Sequence, residues 1–296
     1  IVILNETHHH VQHRAFVRQL LAPFYRAGYR YLGLEALSQY DSLLNERGYP
    51  TLKSGYYLRE PQMANLVRDA LDMGFEVFAY ENTSRDTERD LAQAQNIKKI
   101  LDKDPEARML LLCGFHHLTE PPVDPAANRG KTRWMAGWVK ELTGIDPFTV
   151  NQAVLSEWGT PEMAAPYYRE IFENGPTLFV NDDGELFNGP KGTDLFDALL
   201  YHPPTGYVSI RPRWLLWDKE ARLHAPDQSA ITIRYPVMVR AYRQEEMTES
   251  LLAPVDIIML EDAADETALV LRPGRYALVV ENAAGESQQV VIEIGD

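Results

Sequence analysis

Short apolar runs alternate with amphipathic stretches through the first two hundred residues. Ile1 to Leu4, Tyr31 to Leu34, Phe75 to Tyr80 and Met109 to Cys113 are nearly continuous aliphatic or aromatic runs, the pattern of strands buried on both faces. Between them, His13 to Arg26, Pro61 to Met73 and Asp90 to Asp102 carry apolar residues at three- and four-residue spacing, which predicts helices. Gly28 and Gly74 stand where a left-handed cap ends two of these helices. A helix near Arg133 to Leu142, a strand near Phe148 to Leu155, a helix near Pro161 to Phe172 and strands at Thr177 to Val180 and Phe196 to Tyr201 continue the series. Such alternation predicts an α/β fold, with a mainly parallel sheet and helices on both faces.

After about Pro204 the texture changes. Tyr235 to Tyr242, Val255 to Leu260, Ala268 to Leu271, Arg275 to Glu281 and Gln288 to Ile294 are short runs separated by turn signals such as Pro273-Gly274. No helical pattern interrupts them. The chain is therefore read as an α/β domain over 1–204 and a small antiparallel β-sandwich over 205–296. The stretch from Leu37 to Pro61 is long for a connection and reads as a binding loop.

Composition narrows the function. The chain has 296 residues, 45% hydrophobic and 24% charged, as in ordinary globular proteins. A net charge of −14 repels phosphate backbones, so nucleic acid is not expected as a general partner; the substrate expected of the site read below is a small molecule or peptide. No apolar run reaches the ~20 residues of a transmembrane helix. The single cysteine, Cys113, forms no internal disulfide and reads as an inert buried thiol. The opening Ile1-Val2-Ile3-Leu4 looks like the interior of a strand, so a preceding segment carrying an address is expected.

Six of the eight histidines fall in two clusters: His8, His9, His10 and His13 after the first strand, and His116 and His117 after the fourth. Glu35 ends the second strand and Glu81 follows the third. In a parallel sheet the loops at the carboxyl ends of the strands share one rim, where ligands bind. Glu6 with His9, Glu35, Glu81 and His117 should thus converge. Carboxylates beside imidazoles suit acid/base chemistry near neutral pH, or a divalent metal held by His9, His117 and Glu35. Taken singly, each is as well explained by a cap or a structural ion pair.

At these residues the sequence resembles the erythromycin esterase-like, ChaN-like and Tiki/TraB superfamily. NETHHHVQHRAFVR resembles its G-E-x-x-H…R opening, with Glu6, His9 and Arg18 at the matching positions. YLGLEA resembles the second-strand segment ending in glutamate, here Glu35. RDLAQAQNI resembles R-D-x-x-M-A-x-N, giving Arg89, Asp90 and Asn96, and LLLCGFHHLTE resembles G-x-x-H, giving Gly114 and His117. Asn5 stands at the opening glycine, Gln93 at the family methionine and His13 at the esterase branch's glutamate. The resemblance covers about residues 1 to 120 well, 121 to 204 loosely, and leaves out the β-rich tail. It implies a hydrolase of esters or amides, a metal-dependent peptidase or a haem-associated protein, and exported relatives favour a periplasmic or cell-surface location.

The expected roles follow. His9 is the general base, with Glu6, Glu35 and His117 holding water or orienting the ring. Arg18, Arg89, His13, Tyr57 and Glu81 contact substrate, while Asp90, Asn96, His8 and His116 support the others. Adjacent residues at a strand end point apart, which favours His9 and His117 over His8 and His116. Haem held by axial histidines, or a cell-surface interaction module with a degenerate site, are the alternatives. No G-x-S-x-G elbow, P-loop, G-x-G-x-x-G or H-E-x-x-H motif is present.

Overall fold

The computed structural model describes residues 1–82, 86–124, 132–190, 192–249 and 251–295. Strands β1 (Val2–Glu6), β2 (Tyr31–Leu34), β3 (Glu76–Ala79), β4 (Met109–Gly114), β5 (Phe148–Asn151), β6 (Thr177–Leu178) and β7 (Ala198–Tyr201) form one sheet in the order β3-β2-β4-β1-β5-β7-β6. All neighbours are parallel except β6, which runs against β7. Helices α1 (Gln12–Arg26), α3 (Pro61–Met73), α4 (Arg89–Lys103) and α5 (Met135–Thr143) cover it, with a one-turn helix α2 (Leu44–Arg47) in the long loop.

The period-two geometry of a strand explains why both faces are apolar. Leu4, Leu110 and Leu112 face α1 and α3, packing with Val17, Leu21, Leu66 and Val67. Ile3, Met109, Leu111 and Cys113 face the other way, against Ala94 and Ile97 of α4 and Met135 and Val139 of α5. Glu60 caps α3 by accepting the N–H groups of Gln62 (2.7 Å) and Met63 (2.9 Å), and Gly74 ends it with φ of 89°. Gly33 is held by close approach, since a Cβ there would lie 2.5 Å from Leu111 and 2.6 Å from Phe78.

One sequence expectation needs correction. The helix read over Pro161 to Phe172 is two separate 3-10 turns, Pro161–Met163 and Pro166–Glu170. Pro166 has no N–H to donate and restricts the residue before it, which breaks the stretch. The loop from Leu37 to Pro61 is ordered by its own polar contacts: Arg47 grips Asp41 (2.6 and 3.1 Å), Ser54 donates to Asp41 (2.5 Å), and Tyr56–Arg59 makes a 3-10 turn.

Beyond residue 204 come β8 (Tyr207–Val208), β9 (Arg211–Pro212), β10 (Arg222–His224), β11 (Val237–Arg243), β12 (Asp256–Leu260), β13 (Leu269–Leu271), β14 (Gly274–Asn282) and β15 (Ser287–Ile294). They build small antiparallel sheets: β12-β11-β14-β15, β10-β13 and β8-β9. Val239, Ile258, Leu269 and Leu278 form a core shared by the four-stranded sheet and β13. Buried charge ties this part to α3. Arg68 donates to both oxygens of Glu246 (2.8 and 2.7 Å), and Asp69 takes Arg18 (2.6 Å) and Arg272 (3.0 and 2.8 Å). Among the described residues, no helix is long and apolar enough to cross a membrane.

Candidate functional site

Strand pairing brings the early and late motifs together. Glu6 at the end of β1 sits opposite Gly114 at the end of β4. Leu34 pairs with Leu112 on one side and Ala79 on the other, so Glu35 and Glu81 emerge at the same edge. A cavity of about 330 Å³ opens there, walled by Glu6, His8, Glu35, Tyr57, Glu81 and Arg89 with Gly114 beneath. The carboxyl edge of a parallel sheet is where such folds place their ligands.

Glu6 and His8 form its most directed pair. The Nδ1 of His8 lies 3.0 Å from Glu6 Oε1. Burial would raise the Glu6 carboxyl, but hydrogen bonds from Arg14 and His8 outweigh it and hold the group below its usual range. An ionised Glu6 accepts, so in the neutral ring Nδ1 carries the proton and Nε2 keeps its lone pair. That end of the ring lies over Gly114, where a Cβ would come within 2.8 Å of Nε2. Tyr57 stacks on the imidazole at 4.6 Å and Phe115 meets it edge-on at 5.1 Å.

Arg89 is the hub of the opposite wall. It donates to Glu35 (2.5 Å), to both oxygens of Glu81, and through Nη1 to His117 Nε2 (3.0 Å). The last bond fixes His117 as the Nδ1–H tautomer, donating to Asp90 at 2.6 Å. Asp90 also accepts the Met135 N–H (2.9 Å) at the start of α5. These bonds engage four of the five guanidinium donors, leaving one Nη1–H. Glu35 accepts the Gly114 N–H (2.5 Å), and Asn96 holds the Tyr80 carbonyl (3.0 Å) behind the wall. Gln93 donates to Glu81 (3.2 Å).

Four expected site residues lie elsewhere. His9 is exposed against Trp158 at 5.5 Å, and His8 takes the cavity instead. The chain leaves β1 through a turn closed by His10 N–H on Thr7 O (2.8 Å), so strand alternation does not carry past Glu6. His13 is fully buried between the Thr7 N–H (3.3 Å) and Ser156 Oγ (2.8 Å). Arg18 faces Asp69 and Asp218. His116 points outward beside Trp134 at 5.8 Å.

The reading by residue type missed Arg14, buried and clamped bidentate on Glu6 (2.5 and 2.8 Å), with Glu60 3.1 Å away. Its signal was available: Arg14, Val17 and Leu21 share one helical face, and a charge on an apolar stripe needs a buried partner. Asn5, at the resemblance's glycine position, links the edge by donating to Phe115 O (2.8 Å) and accepting the Gln152 N–H (2.8 Å).

The metal set His9, His117 and Glu35 is not assembled. His9 is apart, and both His117 nitrogens and both Glu35 oxygens have partners. Among the described residues, no group of three or more His, Cys, Asp or Glu side chains is arranged to hold a metal ion. The Cys113 thiol is buried, and burial pushes its pKa well up.

Fold and site together define a mixed α/β protein with a carboxylate- and arginine-lined cavity at the strand ends. No family model and no curated protein matches the chain. Among solved structures, the type III effector HopBA1 aligns at 9% identity and a TM-score of 0.39, over 68% of this chain and 88% of that one. The C-terminal region of Pasteurella multocida toxin, described as having a thiol-protease-like catalytic triad, aligns at 10% identity and a TM-score of 0.34, over 98% of this chain and 46% of that one.

Proposed function

We propose that this chain is a hydrolase of ester or amide bonds, of the erythromycin esterase-like, ChaN-like and Tiki type, acting on a small molecule or peptide. His8 is the general base. Its Nε2 takes a proton from water as the oxygen attacks the substrate carbonyl carbon, and returns that proton to the departing alkoxide or amine. Glu6, clamped by Arg14, steadies the imidazolium formed between the two steps. The remaining Nη1–H of Arg89 faces the developing oxyanion. The observation that carries this reading is the Glu6–His8 bond of 3.0 Å, with the other ring nitrogen at the cavity floor. Support comes from Phe115, whose φ of 42° stores backbone strain one residue past that floor.

The test is hydrolysis of p-nitrophenyl esters and p-nitroanilides. His8→Ala is expected to lower kcat/KM roughly 10²-fold or more, whereas His9→Ala stays within about twofold. Equal rates for the two variants would remove His8 from the mechanism, and a folded wild-type protein without turnover of either substrate class would remove the hydrolase.

A further inference from the structure

Across Phe115 from the first cavity, the same strand ends open on a second one of about 440 Å³. Chain neighbours face the two in turn: His8 and Gly114 line the first, Thr7 and Phe115 the second. Phe115 is the partition. Its ring meets His8 edge-on at 5.1 Å, and its carbonyl is tied to Asn5 (2.8 Å).

The two walls differ in chemistry. The first carries three glutamates and an arginine. The second, among the described residues, has no Asp, Glu, Lys or Arg, although the chain's net charge is −14. Val154, Trp158 and Met163 supply its apolar surface, and Phe115 and Met163 stand 37% and 61% exposed. A largely apolar hollow, with Asn5, Thr7, Asn151 and His116 as its polar lining, beside a cavity of carboxylates fits a substrate that is polar mainly at one end.

We propose that the second cavity is the subsite for an uncharged alkyl or aromatic group of the substrate whose carbonyl is processed at His8. This rests on the hydrolase reading above. Each methylene moved from water onto such a wall favours the complex by roughly fourfold, so chain length is a sensitive probe.

The test uses the full chain with two readouts. The first is the ratio of kcat/KM for p-nitrophenyl octanoate over acetate. The second is fluorescence of N-phenyl-1-naphthylamine, a neutral apolar probe that needs no turnover. Ala153→Phe fills the cavity from a half-buried wall position, and Trp158→Ala opens it. Ala153→Phe is expected to lower the octanoate preference roughly tenfold with acetate within about twofold, and to abolish probe binding. Where Ala153→Phe fails to fold, Trp158→Ala carries the test by weakening the probe and shifting the chain-length optimum. An unchanged ratio and unchanged probe binding in a folded variant overturn the subsite. Probe binding that Ala153→Phe removes, in a protein that hydrolyses neither ester, keeps the subsite and discards the hydrolase.

Discussion

Arg14 and Glu6 meet as a two-pronged pair whose side chains are 1% and 4% exposed, and His8 hangs from the same carboxylate. The pair therefore has two consequences, one for the stability of the fold and one for the ring at the cavity.

Removing one member leaves the other charge buried and unpaired. Arg14→Met is expected to cost ~3–5 kcal/mol, and Glu6→Gln a similar amount, in urea unfolding. The double variant should be more stable than the sum of the two predicts, because neither charge is then stranded. Additive losses would show that the pair is not coupled. The pH sign follows from the lowered Glu6 carboxyl: its stabilisation is complete above the usual carboxylate range and is lost as pH falls through the lower folded value.

A second group of buried rings makes the fold sensitive to milder acid. Burial pushes His202 down to about 3, and burial with the neighbouring His202, His10 and Arg14 lowers His13 well below its usual value. The rings of His13 and His202 lie 4.9 Å apart. The unfolded chain protonates both near pH 6.5, while the folded chain does so only at much lower pH. Stability is thus full above about pH 6.5 and falls by ~1.4 kcal/mol per pH unit for each ring below it. Urea midpoints between pH 7.5 and 5 should show this slope, and His202→Gln should reduce it by one proton. A slope unaffected by that change would contradict the burial argument.

The β-α alternation was legible because strands covered on both faces are apolar at every position, as in Met109 to Cys113. The meeting of Glu6, Glu35, Glu81 and His117 at one edge was legible for the same reason, since parallel strands end together. What the sequence pattern misassigned was which side chain turns inward once a strand stops, since alternation favoured His9 over His8. The turn from Thr7 to His10 decides for His8, and no periodicity describes a turn. Arg18 was illegible in another way: its partner Asp218 lies 200 residues away, in a part of the chain that the helical pattern does not mention.

Arg18 accordingly yields a prediction that separates structure from chemistry. It bonds Asp69 (2.6 Å) and Asp218 (3.0 Å), and Arg272 contacts the same two carboxylates. Because Arg272 remains, Arg18→Ala should lower stability by only ~1–3 kcal/mol. Ester turnover should stay within about twofold, as nothing at His8 is disturbed. A tenfold rate loss at unchanged melting temperature would instead return Arg18 to the substrate.

Gly114 offers the sharpest separation of catalysis from folding. A Cβ at this position would lie 2.6 Å from His8 Cε1, 2.8 Å from His8 Nε2 and 3.2 Å from Glu35 Oε2, closer than carbon packs. No backbone atom is among these neighbours, so it is the side chains that must give way. The His8 side chain is 31% exposed and turns on two bonds, so it can swing outward, giving up its bond to Glu6 and its stack on Tyr57. Doing so takes Nε2 off the cavity floor, and misplacing a base by about 1 Å costs roughly 10²-fold in rate. Gly114→Ala is therefore expected to lower kcat/KM by roughly 10–100-fold with a stability loss of ~1–3 kcal/mol, too little to unfold the chain. Gly159→Ala, where nothing lies within 4 Å of the new carbon, is the control and should change neither quantity. Melting curves and ester kinetics on the two variants decide the matter. A Gly114→Ala protein as active as wild type would mean that the ring over this glycine is not the one that moves the proton.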